Sequence, residues 1–173
     1  MLRLATAFAI ALFALAPLPA TAQDLAAIEA AEKALDAAWE AAPLSFRKVL
    51  FASEAMGFGA YIERSDNKFK PGQQILVYAE PVGYGYKANA DGTNVLGAKV
   101  DLAIKTPAGE VALAQANFAT LEITSHARNR EFVLTLSLDL SGAPAGDYVL
   151  EYLVHDLASD ETAPISLPFS IVE

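Results

Sequence analysis

Two hydrophobic periods divide the chain. From Asp24 to Ala42, Leu25, Ile28, Leu35 and Trp39 recur at helical spacing in an alanine-rich background, and Glu29 stands four residues before Lys33. The spacing predicts one amphipathic N-terminal helix within 23–43. Asp24 serves as its N-cap or first-turn acid, and Pro43 forbids continuation. Apart from its four large residues the stripe offers mainly alanine. That composition suits either docking on the edge of a domain or an arm that pairs with another chain.

After Pro43 the period falls to two, and Gly, Pro, Asn and Asp clusters interrupt it at close intervals. The strands expected are Ser45–Phe51, Gln74–Glu80, Gly97–Thr106, Glu110–Gln115, Ala119–Thr124, Glu131–Leu140, Tyr148–His155 and Ile165–Val172. Alternation is cleanest in Glu131–Leu140, where Phe132, Leu134, Leu136, Leu138 and Leu140 share one face. Pro107-Ala108-Gly109 turns the Gly97–Thr106 strand into the next as a hairpin, and Pro164 and Pro168 mark the last strand as an edge. So many short alternating strands with no helical pattern between them predict an all-β fold, an antiparallel sandwich over 44–173 with the helix as an appendage.

Pro144-Ala145-Gly146-Asp147-Tyr148 sets a tyrosine at the start of the penultimate strand, where immunoglobulin-like domains carry a tyrosine corner. The run Ala145 to Tyr152, then His155-Asp156 and Pro168-Phe169, resembles the end of exported immunoglobulin-like domains of unknown function in Gram-negative bacteria. Phe69 to Gln74 and Tyr78 to Tyr84 resemble their second strand and its exit loop. The resemblance implies an immunoglobulin-like β-sandwich and an exported location, and it carries no catalytic residues.

The first residues change where this domain is expected to work. Arg3 is followed by the apolar run Leu4–Leu15, then Pro17, Pro19 and Ala20-Thr21-Ala22, which reads as a secretory signal peptide over 1–22. The run is too short for a membrane span, so the mature chain is expected in the periplasm with no transmembrane segment. Removing residues 1–22 from 173 leaves 151, one domain's worth of chain. With Arg3 gone, 12 Lys+Arg become 11 against 21 Asp+Glu, and the formal charge moves from −9 to −10. No basic stripe offsets it, which excludes nucleic acid as a natural partner. The absence of cysteine removes disulfides and thiol ligands.

Short catalytic patterns occur but lack their context. Ser45-Phe46-Arg47-Lys48, Ser65-Asp66-Asn67 and Lys105-Thr106 echo the serine β-lactamase set, yet Ser45 lies in a strand, where alternation would separate it from Lys48, and Pro107 replaces the glycine. Gly57-Phe58-Gly59-Ala60-Tyr61-Ile62 lacks the third glycine of a dinucleotide loop and reads as a flexible turn. His126 falls in a polar connection, and His155 is expected at the solvent edge of its strand. With these two histidines alone, no cofactor or transition-metal site is expected. Asp156, Asp160 and Glu161 crowd one turn, which is either a solvated acidic hairpin or a calcium site.

The stretch with most to offer is Glu80-Pro81-Val82-Gly83-Tyr84-Gly85-Tyr86-Lys87, where tyrosines alternate with glycines beyond a strand. Tyr84 and Tyr86 would stack on a sugar or a peptide side chain while Glu80 and Lys87 orient it. The alternative is that one tyrosine caps the core and the other lies against a neighbouring loop. The first function expected is a non-catalytic module that binds a protein or glycan of the cell envelope through this loop. The second is a structural or assembly role for the Leu25/Ile28/Leu35/Trp39 stripe. A hydrolase built on scattered carboxylates is the third, and nothing in the sequence picks out its pair.

Overall fold

A computed structural model of the protein describes residues 25–173. The expected signal peptide at 1–22 and the capping Asp24 lie outside the described residues. Helix α1 (Leu25–Ala41) ends just before Pro43, as the missing proline N–H requires. Ten strands follow: β1 (Ser45–Gly57), β2 (Ala60–Glu63), β3 (Lys68–Phe69), β4 (Gln74–Val82), β5 (Lys87–Ala88), β6 (Asn94–Lys105), β7 (Val111–Ser125), β8 (Leu134–Asp139), β9 (Gly146–Asp156) and β10 (Thr162–Ile171). They form two sheets, β2-β1-β4-β8 and β3-β10-β9-β6-β5, with β7 also pairing β6. Every pairing is antiparallel except the two-residue contact of β3 with β10.

The period-two pattern becomes burial directly. Leu134, Leu136 and Leu138 of β8 and Ile75, Val77 and Ala79 of β4 face inward from the first sheet. They meet Val100, Leu102 and Ile104 of β6 and Leu150, Tyr152 and Val154 of β9 from the second. Phe51 reaches across to Phe69 and Phe169, with ring centroids 5.2 and 6.5 Å away, and seals the side where β1 overlies β10. On the outer face of the first sheet, Tyr61 lies 4.3 Å from the Tyr78 ring and covers it, so Tyr78 is fully buried although it points away from the main core.

Several expected boundaries move, each for a pairing reason. Glu110–Gln115 and Ala119–Thr124 are one strand, because residues 116–118 bulge opposite Asp101 and the pairing with β6 resumes at Ala119. Asn117 occupies the left-handed region there (φ 53°). The strand expected from Glu131 begins at Leu134, where pairing with β4 begins. Residues 57–62 hold a tight turn at Phe58-Gly59 and then β2, so they are half strand rather than only a flexible turn.

β10, expected as an edge, has β3 outside it, but β3 pairs only its last two residues and both prolines suit their places. The Pro168 carbonyl accepts a hydrogen bond from the Asn67 side chain, so this residue's backbone faces away from β9. Pro164, four residues earlier, faces the same way, and neither ring removes a ladder donor. At the start of β9 the Tyr148 hydroxyl donates to the Pro144 carbonyl at 3.0 Å while its ring stacks on Phe169. The substitution Tyr148→Phe keeps the ring and loses this hydrogen bond. Urea denaturation should show a loss of about 0.5–1.5 kcal/mol with an unchanged slope.

Candidate functional site

The end of the sandwich that carries α1 is assembled from four segments: the helix C-terminus, residues 83–86 after β4, residues 126–133 between β7 and β8, and the β9–β10 turn. Gly83 begins the arrangement. It adopts φ +75°, and a Cβ on it would lie 2.5 Å from the Pro43 carbonyl oxygen. Only glycine lets the helix exit pass so close. The chain then turns Tyr84 inward, leaving it 2% exposed. Its ring meets Trp39 edge-on at 5.0 Å and Phe132 at 5.6 Å. Its carbonyl accepts the Trp39 indole N–H at 2.9 Å.

The Tyr84 and Tyr86 hydroxyls donate to the same carbonyl, that of Asn129, at 2.9 and 3.0 Å. Burial above all pushes both phenols upward in pKa, and for Tyr84 the neighbouring Tyr86 adds to the effect. Both therefore remain donors throughout the neutral range. The Arg128 guanidinium lies 5.4 Å from the Tyr86 ring centroid and pairs with Glu40, which raises its already high pKa. Arg130 pairs with Asp36 one helical turn earlier. Together these contacts fix the last two turns of α1 to the loop and leave a cleft of about 250 Å³ between Trp39, Tyr86, Arg128 and Glu161.

The acidic turn is spent on the same task. The Asp156 carboxylate is buried and accepts the Gly85 N–H at 2.8 Å, the Ser159 hydroxyl at 2.5 Å and the Ala158 N–H at 3.2 Å. Glu161 accepts the Leu44 N–H at 3.0 Å. These carboxylates bind backbone and hydroxyl donors, and among the described residues no group of three or more His, Asp or Glu is arranged to hold a metal ion.

The four residues expected to form a ligand site do not come together. Tyr84 is core and offers no free face, because its ring is enclosed by Trp39 and Phe132. Glu80 lies on the outer face of the first sheet, buried, where it accepts the Tyr78 hydroxyl at 2.6 Å. Burial, and then the bond to Glu80, pushes the Tyr78 phenol up to about 12. Lys87 is exposed on β5 opposite Val95. Tyr86 alone keeps a partly exposed ring at the cleft. One tyrosine in the core and one against a loop is the alternative arrangement posed from the sequence.

The polar loop contributes what periodicity does not register: Asn129 as an acceptor and Arg128 and Arg130 as helix anchors. Their only sequence signal is two arginines flanking an asparagine within reach of an acidic helix. His155 is the penultimate residue of β9 and partly exposed, close to the strand end expected for it. What the sequence did not show is its partner: Nε2 lies 2.8 Å from Asp101, which also accepts the Asn117 N–H at 2.7 Å. Ser45 and Lys48 share a face after all, because a bulge at Arg47 restores their phase, but both lie in a strand.

No protein-family model matches the chain, and no curated protein is similar enough to match it. Among the described residues no helix is long and apolar enough to cross a membrane.

Trp39 is the only tryptophan, so its emission reports docking of α1. Gly83→Ala should red-shift that emission and cost about 1–3 kcal/mol through left-handed strain, before the clash with Pro43 is counted. Tyr84→Ala should cost about 3–5 kcal/mol, as a core truncation does; a change near zero would return the ring to the surface. Acid dependence has a defined sign at Asp101, whose carboxyl is held below the usual range by the Asn117 amide first and His155 second. That contribution is complete above the unfolded value of about 3.9 and is lost as pH falls through the lower folded value. Melting temperature should therefore fall less between pH 5 and 2, both approximate limits, in Asp101→Asn than in the parent protein.

Proposed function

We propose that the chain is an exported, non-catalytic immunoglobulin-like interaction module of the periplasm that engages another envelope protein through α1. The carrying observation is that the helix stripe runs off the domain. Trp39 is buried, whereas Leu25, Ile28 and Leu35 on the same face are 66, 48 and 47% exposed. From Leu25 to Leu35 the overhang spans about 15 Å at the helical rise per residue. Exposed apolar residues recurring along one helix face, with only Glu32 among them, are on an otherwise charged protein the kind of surface that partners cover.

The socket supports this reading more than ligand capture by the loop. Tyr84, Gly83 and the Asn129 carbonyl are occupied in holding the helix, and Asp36 and Glu40 tie it down from the flanks. An apolar arm held at one end loses less entropy on binding than a free one. The immunoglobulin-like reading rests on the strand order, with β1, β4 and β8 in one sheet and β10, β9, β6 and β7 in the other, and on the Tyr148 corner. Export rests on the n-, h- and cleavage-region pattern of residues 1–22.

The test uses residues 23–173 with Leu25, Ile28 and Leu35 replaced by serine. All three are exposed, so stability should change by no more than about 0.5 kcal/mol per site. A photocrosslinking residue at position 28 should form one discrete adduct in envelopes, absent when positions 25 and 35 are serine. Persistence of the adduct in that variant, or none from the parent chain, would overturn the proposal.

A further inference from the structure

At the end opposite α1, the two sheets are unequal in width. Among the described residues β7 pairs only with β6, and β8, the edge of the first sheet, pairs only with β4. Leu113 of β7 is the cross-strand partner of Ile104 and so shares its inward face. Ile104 is 4% exposed, as an inward position should be, yet Leu113 is 43% exposed. Among the described residues it joins neither buried cluster. Between Leu113 and the β8–β9 turn a groove of about 270 Å³ opens, with Ile104, Phe169 and Ile171 on its floor. Beside it the six residues of β8 leave one side of their backbone unpaired among the described residues.

We infer that the open edge of β8 accepts an extended segment of another protein as an added strand, one that covers Leu113 and sets an apolar side chain in the groove. The backbone supplies the hydrogen bonds and the groove supplies the choice of side chain. Residues of the added strand that point inward must be apolar. The rim sets the rest: Asp139 borders the groove and Glu110 stands two residues before Ala112, which lines it. The occupant is therefore basic at its outward or terminal positions. A second copy of this chain, with its formal charge of −9 and the same acidic rim, is disfavoured as that occupant. This surface is independent of α1.

The probe is a fluorescein-labelled nonapeptide alternating lysine and valine, with two controls: glutamate in place of lysine, and the lysine peptide with its order scrambled. Anisotropy with the full mature chain should show saturable binding of the alternating lysine peptide and at least tenfold weaker binding of both controls. Leu113→Glu should weaken it at least tenfold, and Glu110→Lys several-fold. Leu153→Glu, at an exposed apolar site on the outer face of the second sheet, should leave it unchanged. Hydrogen exchange should show new protection at Leu134–Asp139. Equal binding of the lysine and glutamate peptides, or no binding at all, would sink the inference. So would protection confined elsewhere, or indifference to Leu113→Glu in a variant that melts like the parent. A mass that doubles with concentration and reverts with Leu113→Glu would assign the edge to a second copy and overturn the proposed occupant.

Discussion

A buried hydroxyl left without an acceptor costs stability, and at Tyr84 the acceptor it finds organises the helix-bearing end of the sandwich. The ring enters the core, its hydroxyl takes the Asn129 carbonyl, and its own carbonyl is left facing the Trp39 indole. Each bond commits a different segment. The 126–133 loop is held against the 83–86 loop, and the helix is held against both. Without the inward turn at Gly83, neither α1 nor the acidic turn would have a surface to meet.

The charges follow from the same arrangement. The protein is strongly acidic, yet four carboxylates at this end each meet a specific donor, while Asp160 of the same turn is exposed. Asp36 and Glu40 meet Arg130 and Arg128, Asp156 takes three donors, and Glu161 takes a backbone amide. Asp156 and Glu161, two of the three acids that crowd this turn, are acceptors that stitch loops together. The two ends of the molecule then differ in kind. One is filled by the chain's own tryptophan, and the other leaves an inward leucine without cover.

The fold was legible where one local period decided it. Alternation in β8, β6 and β9 needs only a two-sided sheet with one face dry, and the observed burial follows it except at Gly97, buried between Leu96 and Ala98. Bulges escaped because an extra residue changes the phase without changing composition. The run through Asn117 looked like a break between two strands, and Arg47 returned Ser45 and Lys48 to one face. The candidate site was legible only as a location. Glycine and tyrosine marked the 83–86 loop as unusual, but whether a tyrosine faces water or core depends on what arrives from 45 residues away.

The sequence alone determined the helix, its stop at Pro43, most of the strands and the tyrosine at the start of β9. These depend on neighbours a few positions away and on the restricted backbone of proline. Tertiary structure alone decided that Tyr84 is core, that Glu80 turns to Tyr78 on the opposite face, that Arg128 and Arg130 anchor the helix, and that Leu113 lacks cover. Those outcomes rest on contacts between distant segments and on the relative widths of two sheets, which no local period encodes.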